Sequence, residues 1–168
     1  MTPEHELDPR SLGDHLDRLY RAAWALCGSR EDAEDLVQDT YARILRRPRI
    51  VRNDDDLGYL LRVLRNTYVS GRRAADRRPK GAGVTAEELD APDPRAGARP
   101  EEATASREVY GAISALPEVY RDAVIAVDVI GMSYDEAARA LRVRQGTLTS
   151  RLYRARAQVV KALDGEPG

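Results

Sequence analysis

Apolar residues recur at helical spacing in two blocks of this chain, separated by a stretch that has no period. The block nearer the C-terminus is the sharper. Ala137, Ala138 and Leu141 give one helix an apolar face, and Ser133 with Glu136 forms a capping box at its start. A tight turn leads to a second helix, from about Gly146 to Leu163, with Leu148, Leu152, Ala155 and Val159 inward. Its outer face carries Arg151, Arg154, Arg156 and Lys161, with hydroxyls at Thr147, Thr149 and Ser150. No acid lies between Arg139 and Lys161. A short helix followed by a basic one with small polar residues at its N-terminus suits a helix-turn-helix entering a major groove. An amphipathic hairpin with a solvated basic face is the plainer alternative. Cap, turn and one-signed charge together disfavour it.

The first block predicts three helices. One runs from about Leu12 to Leu26 on Leu12, Leu16, Leu19, Ala23 and Leu26, with Gly28 placed as a C-terminal cap. The next opens at Ser29, with Asp32 as a variant capping box, and buries Ala33, Leu36, Val37, Thr40, Ile44 and Leu45. Its outer face shows Glu31, Glu34, Asp35, Gln38 and Asp39, and Arg46, Arg47 and Pro48 end it. Acids suit a first helical turn on dipole grounds, which covers Glu31 and Asp32 but not Asp39. The third helix runs from Leu57 to about Arg73, with Leu57, Leu60, Leu61, Leu64 and Tyr68 toward a core. Arg62, Arg65, Val69, Arg72 and Arg73 form a stripe on it. With Tyr59, Tyr68 and Asn66 nearby, this helix suits stacking on and bonding to unpaired bases; a solvated arginine face is the alternative.

Residues 78–104 read as a flexible acidic linker, rich in Pro and Gly and poor in apolar residues. After it come a helix near Glu108–Leu116 and another opening at Pro117, whose inner face is Val119, Ala123, Val124, Val127 and Ile130. The expected fold class is all-α, two small helical domains with the C-terminal one a helix-turn-helix. The expected boundaries are 1–10 disordered, 11–78 first domain, 79–104 linker and 105–164 second domain.

Over 168 residues the net charge is only −1, which by itself would not suggest a nucleic-acid partner. The average conceals segregation. Between Leu57 and Lys80 there are seven basic residues against Asp76, and between Gly81 and Glu108 seven acids against three arginines. Cys27 stands alone, so neither a disulfide framework nor a multi-cysteine zinc site is available. His5 and His15 lie near the N-terminus, and no Gly-rich phosphate loop or catalytic constellation is visible. A non-enzymatic protein without metal or cofactor is expected. No signal sequence or membrane-length apolar run is seen, so a cytoplasmic protein without membrane insertion is expected.

The motifs, in order and spacing, resemble those of extracytoplasmic-function (ECF, group IV) bacterial RNA polymerase sigma factors. In the first domain the resemblance rests on Leu19-Tyr20, on the run from Gly28 to Thr40, and on the run from Tyr59 to Thr67. In the second it rests on Ala115-Leu116-Pro117, on Gly131 to Ala138, and on Val143 followed by Gly146 to Arg156. The resemblance implies a factor that binds core RNA polymerase and directs promoter-specific initiation. It implies that Asp35, Leu36, Gln38 and Asp39 grip the clamp helices of the largest core subunit. Tyr59, Arg62, Arg65, Asn66, Thr67, Arg72 and Arg73 would engage the minus-ten element, Asn66 and Thr67 capturing an extruded base of the melted strand. Gln145, Thr147, Thr149, Ser150, Arg151, Tyr153 and Arg154 would read or position the minus-thirty-five duplex. Control by an anti-sigma factor is a family expectation.

Several positions depart from the family pattern. Tyr59 stands where Trp is general, Thr149 where Lys or Arg is usual, and Gln145 where a small apolar residue is usual. Gln can pair with adenine edges. Val127 replaces a frequent basic residue, and Ser70-Gly71 is expected to loosen the third helix. Two rivals stay open at this level: a dimeric operator-binding regulator, and a sigma-like decoy that binds regulators.

Overall fold

Gly28 sets the first corner of the fold. In the computed structural model, which describes residues 4–6, 11–46, 50–52, 56–77 and 100–165, a 3-10 turn (Ser11–His15) leads into α1, Leu16–Cys27. Helix α1 stops because Gly28 turns left-handed, with φ 71°, and its N–H donates to the Trp24 carbonyl at 2.7 Å. A side chain there would also force a neighbour to shift. Its Cβ would lie 2.6 Å from Ser114 Oγ, on a helix of the second domain.

Helix α2, Arg30–Arg46, turns Ala33, Leu36, Val37, Thr40 and Ile44 inward. The Thr40 hydroxyl donates to the Leu36 carbonyl at 2.7 Å, so its burial leaves no orphan polar group. The Ser29 cap is stretched, with the Asp32 N–H 3.5 Å from Ser29 Oγ. Leu45, expected inside, is 55% exposed. Its neighbour Ile44, four residues after Thr40 on the inward face, takes the buried position, and Leu45, one residue further round, falls outside it.

Helix α3, Asp56–Arg77, buries Leu60, Leu61 and Leu64 and leaves Leu57 and Tyr68 half-buried. It runs past the expected end, straight through Ser70 and Gly71. Residues 70–77 are exposed, so the preceding turns template the extension and good helix formers such as Arg and Ala continue it. Residues 1–10, expected to be disordered, contain a strand, β1 (Glu4–Glu6), paired antiparallel to β2 (Ile50–Arg52) with His5 opposite Val51. Strand pairing is made by backbone groups that every residue carries, so no apolar pattern announced it.

The expected linker lies outside the described residues up to 99. Helix α4, Pro100–Ser114, opens inside the span assigned to it, with Pro100 at its first position. The helix expected from Pro117 is divided. Helix α5 spans Glu118–Val124, and a π turn follows over Ile125–Val129, closed by the Ile130 N–H on the Ile125 carbonyl at 2.9 Å. Helices α6 (Tyr134–Leu141) and α7 (Gln145–Leu163) complete the chain.

Leu19, Leu26, Leu60, Leu61 and Leu64 fill the first domain; Ile125, Leu148 and Leu152 fill the second. Packing of α1 against α4 and the π turn joins the two into one continuous apolar cluster. Apart from the short ribbon, the fold is all-α with two helical domains. Among the described residues, no helix is long and apolar enough to cross a membrane, and no cluster of His, Cys, Asp and Glu could hold a metal ion.

Candidate polymerase and nucleic-acid interfaces

The helix-turn-helix is built from its caps outward. Ser133 Oγ accepts the Glu136 N–H at 3.1 Å, and Glu136 Oε1 accepts the Ser133 N–H at 3.2 Å, the reciprocal pair expected from the sequence. The Glu136 carboxyl is held below the usual glutamate range by the Ser133 hydrogen bonds. Helix α6 ends on Arg142, the one non-glycine residue with positive φ among those described, at 56°. The Val143 N–H reaches the Ala138 carbonyl at 3.0 Å and the Arg142 N–H the Arg139 carbonyl at 3.2 Å, a Schellman closure without glycine. Val143 then packs half-buried on the core and aims α7 away from α6.

Helix α7 buries Leu148, Leu152 and Ala155, mainly against α5. This presents Gln145, Thr147, Thr149, Ser150, Tyr153 and Arg154 to solvent, with Arg151 half-buried and Tyr153 78% exposed. Thr147, Ser150, Arg151 and Arg154 share an open cleft of about 450 Å³ with Gly146, Tyr120 and Val119. Val119, expected in the core, sits exposed at that cleft, where small residues of α7 leave room. Two of the expected readers are already engaged. Gln145 Nε2 donates to Asp135 Oδ1 at 3.3 Å, and the Thr149 hydroxyl donates to the Gln145 carbonyl at 2.9 Å. Thr149 therefore offers a methyl and lone pairs rather than a proton. Arg156 is not a spare cation either: its Nε and Nη2 hold Asp128 at 2.9 and 2.7 Å, tying α7 to the π turn.

In the first domain, Asp35, Gln38 and Asp39 are exposed on α2, while Leu36 is buried. Asp32, Asp35, Leu36 and Asp39 form one wall of a cleft of about 340 Å³; Thr67, Tyr68, Gly71, Arg72 and Ala75 of α3 form the other. Cys27 lies in this cleft with its thiol pKa pushed up to about 12, first by burial and then by Asp32. It is no nucleophile at neutral pH.

Helix α3 divides the expected minus-ten residues into three sets. Asn66, Arg72 and Arg73 are exposed, and Tyr59 and Arg62 are half-buried. Thr67 is 4% exposed and its hydroxyl donates to the Val63 carbonyl at 2.7 Å, because it points to the same side as Leu60 and Leu64. Arg65 points to the second domain, where its Nη2 meets Asp122 Oδ2 at 2.5 Å.

The pattern of apolar residues gave no sign of this domain interface. Trp24 of α1 stacks on Tyr110 of α4, the Arg30 guanidinium lies 5.3 Å over the Trp24 ring, and that of Arg121 lies 5.1 Å over Tyr68. Asp122 is 5% exposed, and burial raises its carboxyl pKa more than Arg65 lowers it.

Known proteins match both halves. The family described as Sigma-70 region 2 matches residues 12–78, and that described as Sigma-70, region 4 matches residues 106–159. The ECF RNA polymerase sigma factor SigE of Mycolicibacterium smegmatis is 32% identical over 86% of this chain, which spans 57% of that relative's length. SigM of Mycobacterium tuberculosis, also an ECF RNA polymerase sigma factor, is 34% identical over 89% of this chain and 73% of its own. Among solved structures, the sigma factor RpoE of Bartonella quintana, in complex with the anti-sigma factor NepR, superposes with TM-score 0.70 at 27% identity. The match covers 92% of this chain and 95% of that one. With two helical domains in the same order and a capped helix-turn-helix at the end, this chain belongs to the ECF RNA polymerase sigma factors.

Proposed function

We propose that this chain, as a two-domain group IV member, binds core RNA polymerase, reads the minus-ten element with its first domain and reads the minus-thirty-five element with its second. The observation that carries the reading is the separation of one-signed surfaces. Asp32, Asp35 and Asp39 line one wall on α2, while the exposed face of α7 has no acid. An acidic wall suits a basic protein partner and an acid-free recognition helix suits phosphate and base edges. Asn66, Arg72 and Arg73 are the exposed α3 groups suited to a melted strand, with Arg62 beside them. Thr67 supports the helix rather than touching DNA. Promoter duplex, melted strand and core polymerase are thus the partners. An anti-sigma factor is a further one, supported by the Bartonella relative having been solved with NepR.

The test is transcription from a randomised promoter library by purified core, with and without the full chain. The expected result is enrichment of one two-part consensus only when the chain is added. Tight palindromic binding by a dimer of the free chain, with no effect on core, would instead identify an operator-binding regulator.

A further inference from the structure

Asp122 is an odd residue to bury. Its Oδ2 accepts from Arg65 of α3, but its Oδ1 finds no hydrogen bond among the described residues; Arg121 Nε, also unbonded, stands 3.8 Å away. A half-satisfied buried ion pair contributes little stability, since desolvation cancels most of the attraction, yet it fixes one geometry over others. Here that geometry joins the helix assigned to promoter DNA with the α5 helix of the other domain. Tyr68, on the same helix, lies under Arg121.

We propose that Arg65 and Asp122 form an internal latch: in the free chain Asp122 occupies the guanidinium that promoter phosphate would take, and holds the second domain against the minus-ten helix. Opening returns Asp122 to water and Arg65 to the DNA-facing stripe with Arg62, Arg72 and Arg73. Opening gives up a single side-chain hydrogen bond, Arg65 to Asp122 Oδ2, and the raised carboxyl pKa points the same way. The latch rests on the DNA-binding reading of α3 above.

The chain carries its own reporter, because its single tryptophan, Trp24, is stacked at the domain interface. Full-length wild type, Asp122→Ala, Asp122→Asn and the reversed pair Arg65→Asp with Asp122→Arg are compared by Trp24 emission, small-angle scattering and circular dichroism. Affinity for a fluorescein-labelled oligothymidylate is measured alongside. With helicity unchanged, Asp122→Ala is expected to shift the emission to the red, increase the radius of gyration and tighten oligonucleotide binding roughly tenfold, about one charge-assisted contact. Asp122→Asn is expected to lie between, and the reversed pair to restore the compact state. Unchanged emission and radius in both single variants would overturn the latch, and opening without tighter oligonucleotide binding would overturn the masking. Transcription by wild type with core judges the sigma-factor reading separately, since the emission and scattering readouts involve no DNA or polymerase.

Discussion

Trp24 of α1 and Tyr110 of α4 stack across the domain boundary, ring centroids 4.7 Å apart and planes tilted by 35°. Trp24 is only 8% exposed, so truncating it leaves a cavity between α1 and α4. Trp24→Ala is expected to cost about 3–5 kcal/mol in guanidinium denaturation followed by circular dichroism. Because the two rings interact, the pair Trp24→Ala and Tyr110→Ala should cost less than the sum, by about 0.5–1.5 kcal/mol. Strict additivity would mean the stack is incidental.

Asp35 and Asp39 are exposed on α2 at the mouth of the cleft, outside the buried core. Reversing both to Lys is expected to abolish capture of core polymerase in a pull-down while leaving the thermal midpoint within a few degrees of wild type. Each lost charge-assisted contact contributes about 1.5–3 kcal/mol. Undiminished capture would remove α2 from the polymerase interface.

Asn66 is exposed beside a Thr67 that is not, so under the proposed function the amide is the group left to capture a base. Asn66→Ala is expected to cripple transcription from closed duplex and to be partly rescued on a template already mismatched at the minus-ten element. The mismatch has met part of the unstacking cost, a few kcal/mol. Equal defects on both templates with a lowered melting temperature would make Asn66 structural.

Arg154 is exposed at the α7 cleft; Arg156 is exposed too, but its charge is committed to Asp128. Arg154→Ala is expected to weaken upstream-element binding by about 1–3 kcal/mol if it reads a base, selectively at one position. Thr149→Arg, which replaces a hydroxyl bonded within the helix, should change the selected upstream sequence. A library returning the wild-type sequence for Thr149→Arg would show that this position does not read DNA.

The capping box predicts a pH dependence. Glu136 has its carboxyl pKa lowered in the folded state, so its contribution is full above the ordinary value of 4.5 and is lost as pH falls through the lower folded value. Asp122 acts oppositely: its folded pKa is raised, so protonation on acidification favours the folded form. Comparing wild type with Ser133→Ala separates the two. The difference in thermal midpoint is expected to be largest at neutral pH, from a cap of about 1 kcal/mol, and to shrink as acid protonates Glu136. A difference independent of pH would place the stabilisation in Ser133 alone.

The helices and their caps were legible in the sequence because they depend on residues three or four apart: Ser133 with Glu136, Gly28 after α1, the apolar face of α7. So were the acidic face of α2 and the acid-free face of α7, since composition along one helix already assigns them. Boundaries drifted where cooperativity outran propensity, as in α3 beyond Gly71, or where a short backbone pairing joins segments far apart in the chain, as in Glu4–Glu6 with Ile50–Arg52. Choices among contacts far apart in the chain belonged to the tertiary structure. Arg65 and Arg72 lie on one stripe in sequence, yet only Arg65 finds Asp122 in another domain. Thr67 and Asn66 are neighbours, yet the core takes one and solvent the other. Such pairings depend on where helices cross, and helix crossing is set by the packing of whole faces rather than by any local pattern.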